Sequence, residues 1–265
     1  MDDFPLKVIS ASRRVDMVAN KPDQLIGILK ARCPPPQIHT LVLWTKNAHH
    51  LLHHSALKKE LARYDQVFLH YSITGLGDSV LEPNVPDMTT CFEHLPRLAF
   101  WLSPQRIRIR FDPIVHFRLS GGEVICNLRV FEDVAECAEK CGITSITTSW
   151  VQIYRKVSQR LKRMHIEPIS ISDEQWLEEA AWLQSIAWNC GLELHGCCVP
   201  GWPVSRCIDG DLLNKLHPKG FKTSTQRARG QRLLCGCTKS WDIGWYRKCD
   251  QGCVYCYGNP SITTQ

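Results

Sequence analysis

The segments His39-Thr-Leu-Val-Leu-Trp-Thr45 and Gln66-Val-Phe-Leu-His-Tyr-Ser-Ile-Thr74 are short, apolar and rich in β-branched and aromatic residues. Between them, Ala48 to Arg63 has a helix-forming pattern. Uninterrupted apolar runs of this length are typical of parallel strands buried on both faces. A strand, a helix and a second strand in about 35 residues make one β–α–β unit.

The alternation continues on both sides of that unit. Lys7–Ala11 precedes it as a strand, and Arg106–Phe111, Thr144–Ser149 and Leu192–Cys197 follow it. Pro22–Ala31, Thr89–Leu102, Asn127–Cys141 and Asp173–Cys190 read as the intervening helices. Ser172 or Asp173 is placed to cap the last of these, with acidic side chains in its first turn. Gly142 and Gly191 directly follow helices, where a left-handed residue commonly ends the helix. Six β–α units predict a parallel sheet with right-handed crossovers. Six is two short of a closed barrel. The expected fold class is therefore α/β, a partial (β/α)6 TIM-like barrel over residues 1–199. An open doubly wound sheet fits the same pattern. The basic stretch Trp150–Glu167 is extra and is expected to be helical. Beyond about residue 200, prolines and glycines punctuate the chain, with one short helix expected at Asp209–Leu216. Residues 200–265 are read as a Cys-rich metal-binding tail packed on the barrel.

The chain has 265 residues and a net charge of +6. That charge is too small by itself to imply nucleic acid binding. No apolar run approaches the roughly 20 residues of a membrane helix. The first ten residues lack the pattern of a signal peptide. A cytoplasmic protein is expected, with no membrane partner. Fourteen cysteines in a reducing compartment argue for metal binding or catalysis over a disulfide framework. Eight of them lie between Cys197 and Cys256.

Function in parallel α/β folds gathers at the C-terminal ends of strands. Reading those ends gives Arg13, Arg14 and Asp16, then Lys46 and Asn47, then Thr74, then Arg110 and Asp112. A polar, mostly basic rim suits an anionic ligand or substrate. In the tail, Cys249, Cys253 and Cys256 have the spacing C-x3-C-x2-C. Thiolates are the usual protein ligands of iron–sulfur clusters, and three of them leave one iron of a four-iron cluster open. Structural zinc prefers four ligands, often as two C-x2-C pairs. The triad therefore points to a [4Fe-4S] cluster ahead of zinc. Cys235 and Cys237, with Cys207 and either Cys197 or Cys198, could hold a second iron–sulfur cluster or zinc. Basic residues from Lys219 to Lys248, interleaved with Trp241, Trp245 and Tyr246, offer a weaker case for single-stranded nucleic acid.

Cys249–Tyr257 resembles the radical S-adenosylmethionine motif, C-x3-C-x-aromatic-C. The chain as a whole resembles the bacterial family called domain of unknown function 1848. That resemblance rests on Ile9-Ser-Ala-Ser-Arg-Arg14 with Asp16, Leu43-Trp-Thr-Lys-Asn47, Ser72-Ile-Thr-Gly75, Glu82-Pro-Asn84 and Arg110-Phe-Asp-Pro113. It continues in Cys207-Ile-Asp209, Cys235-Gly-Cys237 and Asp242-Ile-Gly244 through to Cys256-Tyr257. The resemblance implies a radical-enzyme-like barrel that binds S-adenosylmethionine at the open iron and generates a deoxyadenosyl radical. It names no substrate. Such enzymes carry the triad after the first strand, whereas here it comes last, so the tail is expected to return the cluster to the same face. On this reading Arg13, Arg14, Asp16, Lys46, Arg110 and Asp112 line the pocket, and Tyr255, Asn47 and Thr74 contact the cofactor. The expected partners are a small-molecule substrate and an electron donor such as flavodoxin or ferredoxin. The nominal cofactor motif Gly121-Gly-Glu123 is expected to be a turn. The alternative is a non-catalytic metal-binding protein with a nucleic acid or protein partner.

Overall fold

The computed structural model describes residues 6–262. In chain order its elements are β1 (Lys7–Ala11), α1 (Met17–Asn20), α2 (Pro22–Arg32), β2 (Ile38–Thr45), α3 (His49–His53), α4 (Ser55–Leu61) and β3 (Val67–Ser72). There follow α5 (Met88–Leu102), β4 (Ile107–Ile114), β5 (His116–Arg118), β6 (Val124–Cys126), α6 (Val130–Lys140), β7 (Ser145–Trp150), α7 (Arg155–Arg163) and β8 (Glu167–Pro168). The last are α8 (Asp173–Asn189), β9 (Glu193–Gly196), α9 (Gly210–Leu216), β10 (Trp241–Asp242), β11 (Lys248–Cys249) and β12 (Asn259–Pro260).

Seven strands form one parallel sheet in the order β10-β1-β2-β3-β4-β7-β9. The six strands expected from the sequence are all present and lie side by side in chain order. A doubly wound sheet reverses its order at a switch point, and this one does not. The seventh strand, β10, was not foreseen. It pairs outside β1, with Ile9 opposite Trp241 and Ser10 opposite Asp242. β10 and β9 end the sheet, which is open.

Side chains alternate between the faces of a strand, and here each set meets a different cover. Ile9, Leu41, Leu43, Leu69, Ile109 and Phe111 share one buried core with Leu25 of α2, Leu95 of α5, Phe131 of α6 and Leu183 of α8. On the other face Val8, Val42 and Phe68 pack against Cys207, Ile208 and Leu213 of the tail. That second face also buries polar residues, which bind the tail's backbone. His70 Nε2 lies 2.6 Å from the carbonyl oxygen of Cys207. Arg108 donates to the carbonyl of Arg206 at 2.9 Å, and Gln66 to that of Leu213 at 3.0 Å. His39 meets the carbonyl of Phe221 at 2.9 Å. The tail thus covers a whole face of the sheet.

Local chemistry explains several departures from expectation. The helix expected over Ala48–Arg63 is two helices, because His54 is extended and its ring accepts from the N–H of Leu57 to cap α4. Ser172, not Asp173, caps α8 through its hydroxyl. The stretch Trp150–Glu167 is helical only over α7. Gly121 and Gly122 form the turn of the β5–β6 hairpin, where Gly122 takes a positive φ of 85°. Among the described residues no helix is long and apolar enough to cross a membrane.

Candidate metal and ligand site at the strand ends

The triad loop is seated on the loop that follows β3. Val254 donates its N–H to the carbonyl of Leu81 at 3.0 Å. Arg160 of α7 clamps the loop by donating to the carbonyls of Val254 at 2.7 Å and Cys256 at 2.8 Å. Gly252 needs its missing side chain, since its φ is +72° and a Cβ there would lie 2.8 Å from Pro83. Cys253 is buried and Cys249 and Cys256 are half-buried. Each sulfur at the edge of the group has an N–H donor nearby. Gly258 donates its backbone N–H to Cys256 Sγ at 3.2 Å, and Asn20 its amide to Cys249 Sγ at 3.5 Å. Burial pushes the Cys249 thiol up to about 11. Burial and then Glu82 push Cys253 up, while Lys46 pulls the other way and both other triad thiols add to the rise.

Lys46, at the end of β2, and Glu82 both act on Cys253. The Lys46 ammonium sits 2.8 Å from Glu82 Oε1 and 3.1 Å from the Tyr255 hydroxyl. Burial opposes that charge, but Glu82 and Cys253 more than offset it, so its pKa is raised. Glu82 is fully buried and accepts from Lys46, from Thr74 at 2.9 Å and from Tyr255, while its Oε2 has no hydrogen-bond partner. Sequence reading placed Glu82 in a shared segment but did not pick it as a site residue. A carboxylate set between Leu81 and Pro83, just past a strand end, was the available signal. Thr74 therefore serves Glu82, and Tyr255 is only 7% exposed, with its hydroxyl used in the same network.

The remaining rim residues fall into separate roles. Asp16 is raised to about 6 by burial, against hydrogen bonds from Ala19, Lys46 and Thr45. Those bonds cap α1 and tie the end of β1 to the end of β2. Asn47 accepts from the N–H of His49 at the start of α3. Arg14 donates to the carbonyl of Gly244 at 3.2 Å. Arg13 lies over the Trp44 ring, 5.7 Å from its centre. Arg110 pairs with Asp112, which also accepts from Ser149.

Arg110 also donates to Cys207 Sγ at 2.9 Å, which leads to a second group of thiols. Cys197 and Cys237 donate to Cys207 and hold its thiol well below the ordinary range, with Arg110 acting in the same sense against burial. Cys235 is lowered to about 6, chiefly by its contact with Cys237. It is Cys197 that bonds to Cys207. Cys198, one of the two expected candidates, lies beside the group at a positive φ of 59° and interacts most with Arg232 after burial. Lys46 interacts with both Cys253 and Asp112, and Arg110 with both Asp112 and Cys207.

All fourteen cysteines are free thiols. Among the described residues no three His, Cys, Asp or Glu side chains already stand in metal-binding geometry. The donor chemistry nonetheless suits thiophilic metals: two thiol groups, each met by N–H donors or cations. A comparison with curated proteins gives no match. A family model described as a domain of unknown function, DUF1848, matches residues 17–258. That span takes in α1 through the last cysteine, with Lys46, Glu82, Arg110, Asp112 and both thiol groups, while Arg13, Arg14 and Asp16 precede it, and the chain belongs to this family.

Proposed function

We propose that the chain is a radical S-adenosylmethionine-type iron–sulfur enzyme acting on an anionic small molecule. Its scaffold would be a partial (β/α)6 barrel, its reductant a small electron carrier such as flavodoxin or ferredoxin. The observation that supports the reading is the seating of the Cys249–Cys256 loop on the loop after β3, with Cys253 buried near the half-buried Lys46 ammonium. Those three thiolates would hold a four-iron cluster with one iron open. Such a cluster, when bound, supplies one-electron chemistry on S-adenosylmethionine.

The chain's own residues have separable tasks. Gly258 and Asn20 donate N–H groups to two of the sulfurs, which stabilises them as thiolates. Arg160 fixes the loop through two carbonyls. Glu82 holds Lys46 and Tyr255 in place. Lys46 sets a positive charge beside Cys253, and Arg13 offers a second one at the rim. A charge pair of this kind would orient a carboxylate or phosphate. Asp16 holds β1 and β2 in the register that places both cations.

Anaerobic reconstitution with iron and sulfide tests the reading. The protein should take up about four irons at the triad, turn brown, and cleave S-adenosylmethionine to 5′-deoxyadenosine when reduced with dithionite. Replacing Cys249, Cys253 and Cys256 together by Ala should abolish the cleavage and that iron. Cleavage undiminished in the triple variant, or none in the loaded protein, would overturn it.

A further inference from the structure

We propose that Cys197, Cys207, Cys235 and Cys237 bind a second metal centre ligated entirely by protein thiolates. The inference does not depend on whether the triad carries a cluster. The four residues come from three separate segments: the end of β9, the stretch before the α9 cap Asp209, and the loop before β10. Cys207, Cys235 and Cys237 are buried between the sheet and the tail. Cys207, Cys235 and Cys237 belong to one buried cluster, and Cys197 and Cys198 pack against it.

The surroundings match a negatively charged centre better than four neutral thiols. Arg110 donates to Cys207 Sγ at 2.9 Å, and Arg232 donates to Cys197 Sγ at 3.3 Å. Ser205 lies 3.6 Å from Cys207 Sγ. Arg110 is buried with Asp112 as its carboxylate partner and Arg232 is exposed, so each guanidinium has charge left to meet a thiolate. Four thiolates around a divalent metal, or around a four-iron cluster, carry a surplus of negative charge that two guanidinium groups balance. Four protein ligands leave no open position, so this centre would relay electrons or tie the tail down and would not bind substrate. Zinc and an iron–sulfur cluster share this ligand chemistry. Cys198 neighbours Cys197 but turns to a positive φ of 59°, and we assign the fourth ligand to Cys197, with Cys198 as the comparison residue.

The test uses the full-length chain with Cys249, Cys253 and Cys256 replaced by Ala, loaded anaerobically in one arm with iron and sulfide and in another with zinc. One arm should retain one metal centre per chain, with X-ray absorption showing about four sulfur ligands from cysteine per zinc or a cluster signature for iron. Adding Cys207→Ser or Cys197→Ser should abolish it, and adding Cys198→Ser should leave it intact. A variant that fails to fold is covered by alkylation of the metal-loaded wild type. There Cys197, Cys207, Cys235 and Cys237 should be protected until a chelator is added, while Cys198 reacts. The proposal is overturned if the triple variant binds neither metal, if Cys198→Ser alone removes it, or if the four cysteines are found as disulfides. The Cys207→Ser variant of the otherwise intact chain reports separately on the triad, whose iron should remain.

Discussion

On the helix-covered face of the sheet the strands present Leu41, Leu43, Leu69, Ile109 and Phe111, and on the opposite face the same strands present Thr40, His70, Arg108 and Arg110. Both sets are buried, but by different covers. The apolar set meets the core faces of α2, α5, α6 and α8. The polar set meets chain segments after β9, largely through hydrogen bonds to backbone carbonyls and to one sulfur. Apolar burial is non-directional and tolerates many partners. Hydrogen bonds to a loop's backbone are directional, and each polar group left unmatched costs free energy. The first face therefore stabilises the fold, and the second specifies which path the tail takes and so where its cysteines come to rest.

The largest effect that would test this contrast is on the apolar side. Phe111 is fully buried and packs edge-on against Phe131. Phe111→Ala should cost about 3–5 kcal/mol, measured by urea unfolding, with core and tail signals lost in one transition. A tail that unfolds separately in this variant would break the comparison.

A somewhat smaller effect, confined to the polar side, is expected at Arg110. Arg110→Met leaves Asp112 with Ser149 as its named partner and should cost about 3 kcal/mol. Adding Asp112→Asn should recover much of that loss, because the unpaired charge is then gone. Additive losses would show that packing, and not charge, dominates there. This expectation replaces the view of Arg110 as a free ligand-binding cation: its guanidinium is already held by Asp112 and Cys207.

The smallest effect concerns acid. His39 and His217 lie with ring centres 4.4 Å apart and planes tilted by 40° on the tail-facing side, and burial lowers the pKa of each below the ordinary histidine value. A base whose folded pKa is lowered binds fewer protons folded than unfolded. Its contribution is complete above the unfolded value of about 6.5 and is lost as pH falls below it. Limited proteolysis from pH 8 down to pH 5 (about 1.5 units either side of that value) should show cleavage near Phe221 rising at the acid end. His39→Gln should flatten that rise. Cleavage independent of pH would remove these histidines from any part in docking the tail.

Much of the scaffold could be read from the sequence, because each of the six strands is a short apolar run between helix signals. Their side-by-side order could not be read, because a doubly wound sheet fits the same run of β–α units. The faces could not be separated in advance. His70 and Arg110 sit inside strands that read as plainly buried, and nothing local says that their partners are a carbonyl and a sulfur more than 90 residues away in the chain. β10 escaped notice because two residues carry no period. The helix over Ala48–Arg63 was drawn too long because a histidine cap has no strong sequence signature. At the site, cysteine spacing singled out both thiol groups. The choice of Cys197 over Cys198 as the partner of Cys207 depended on a backbone twist at Cys198 that two adjacent identical residues cannot reveal.

The pairing of β10 with β1 has a consequence for biosynthesis. Ile9 and Trp241 are joined across more than 230 positions of chain. During translation β1 can pair with β2 early, since few residues separate them, but its other edge stays bare until Trp241 has left the ribosome. Non-local pairings of this length form slowly, and a bare parallel edge is a template for unwanted association. Premature termination before Trp241 would leave that edge permanently open, so truncated products should aggregate even though all six β–α units are intact.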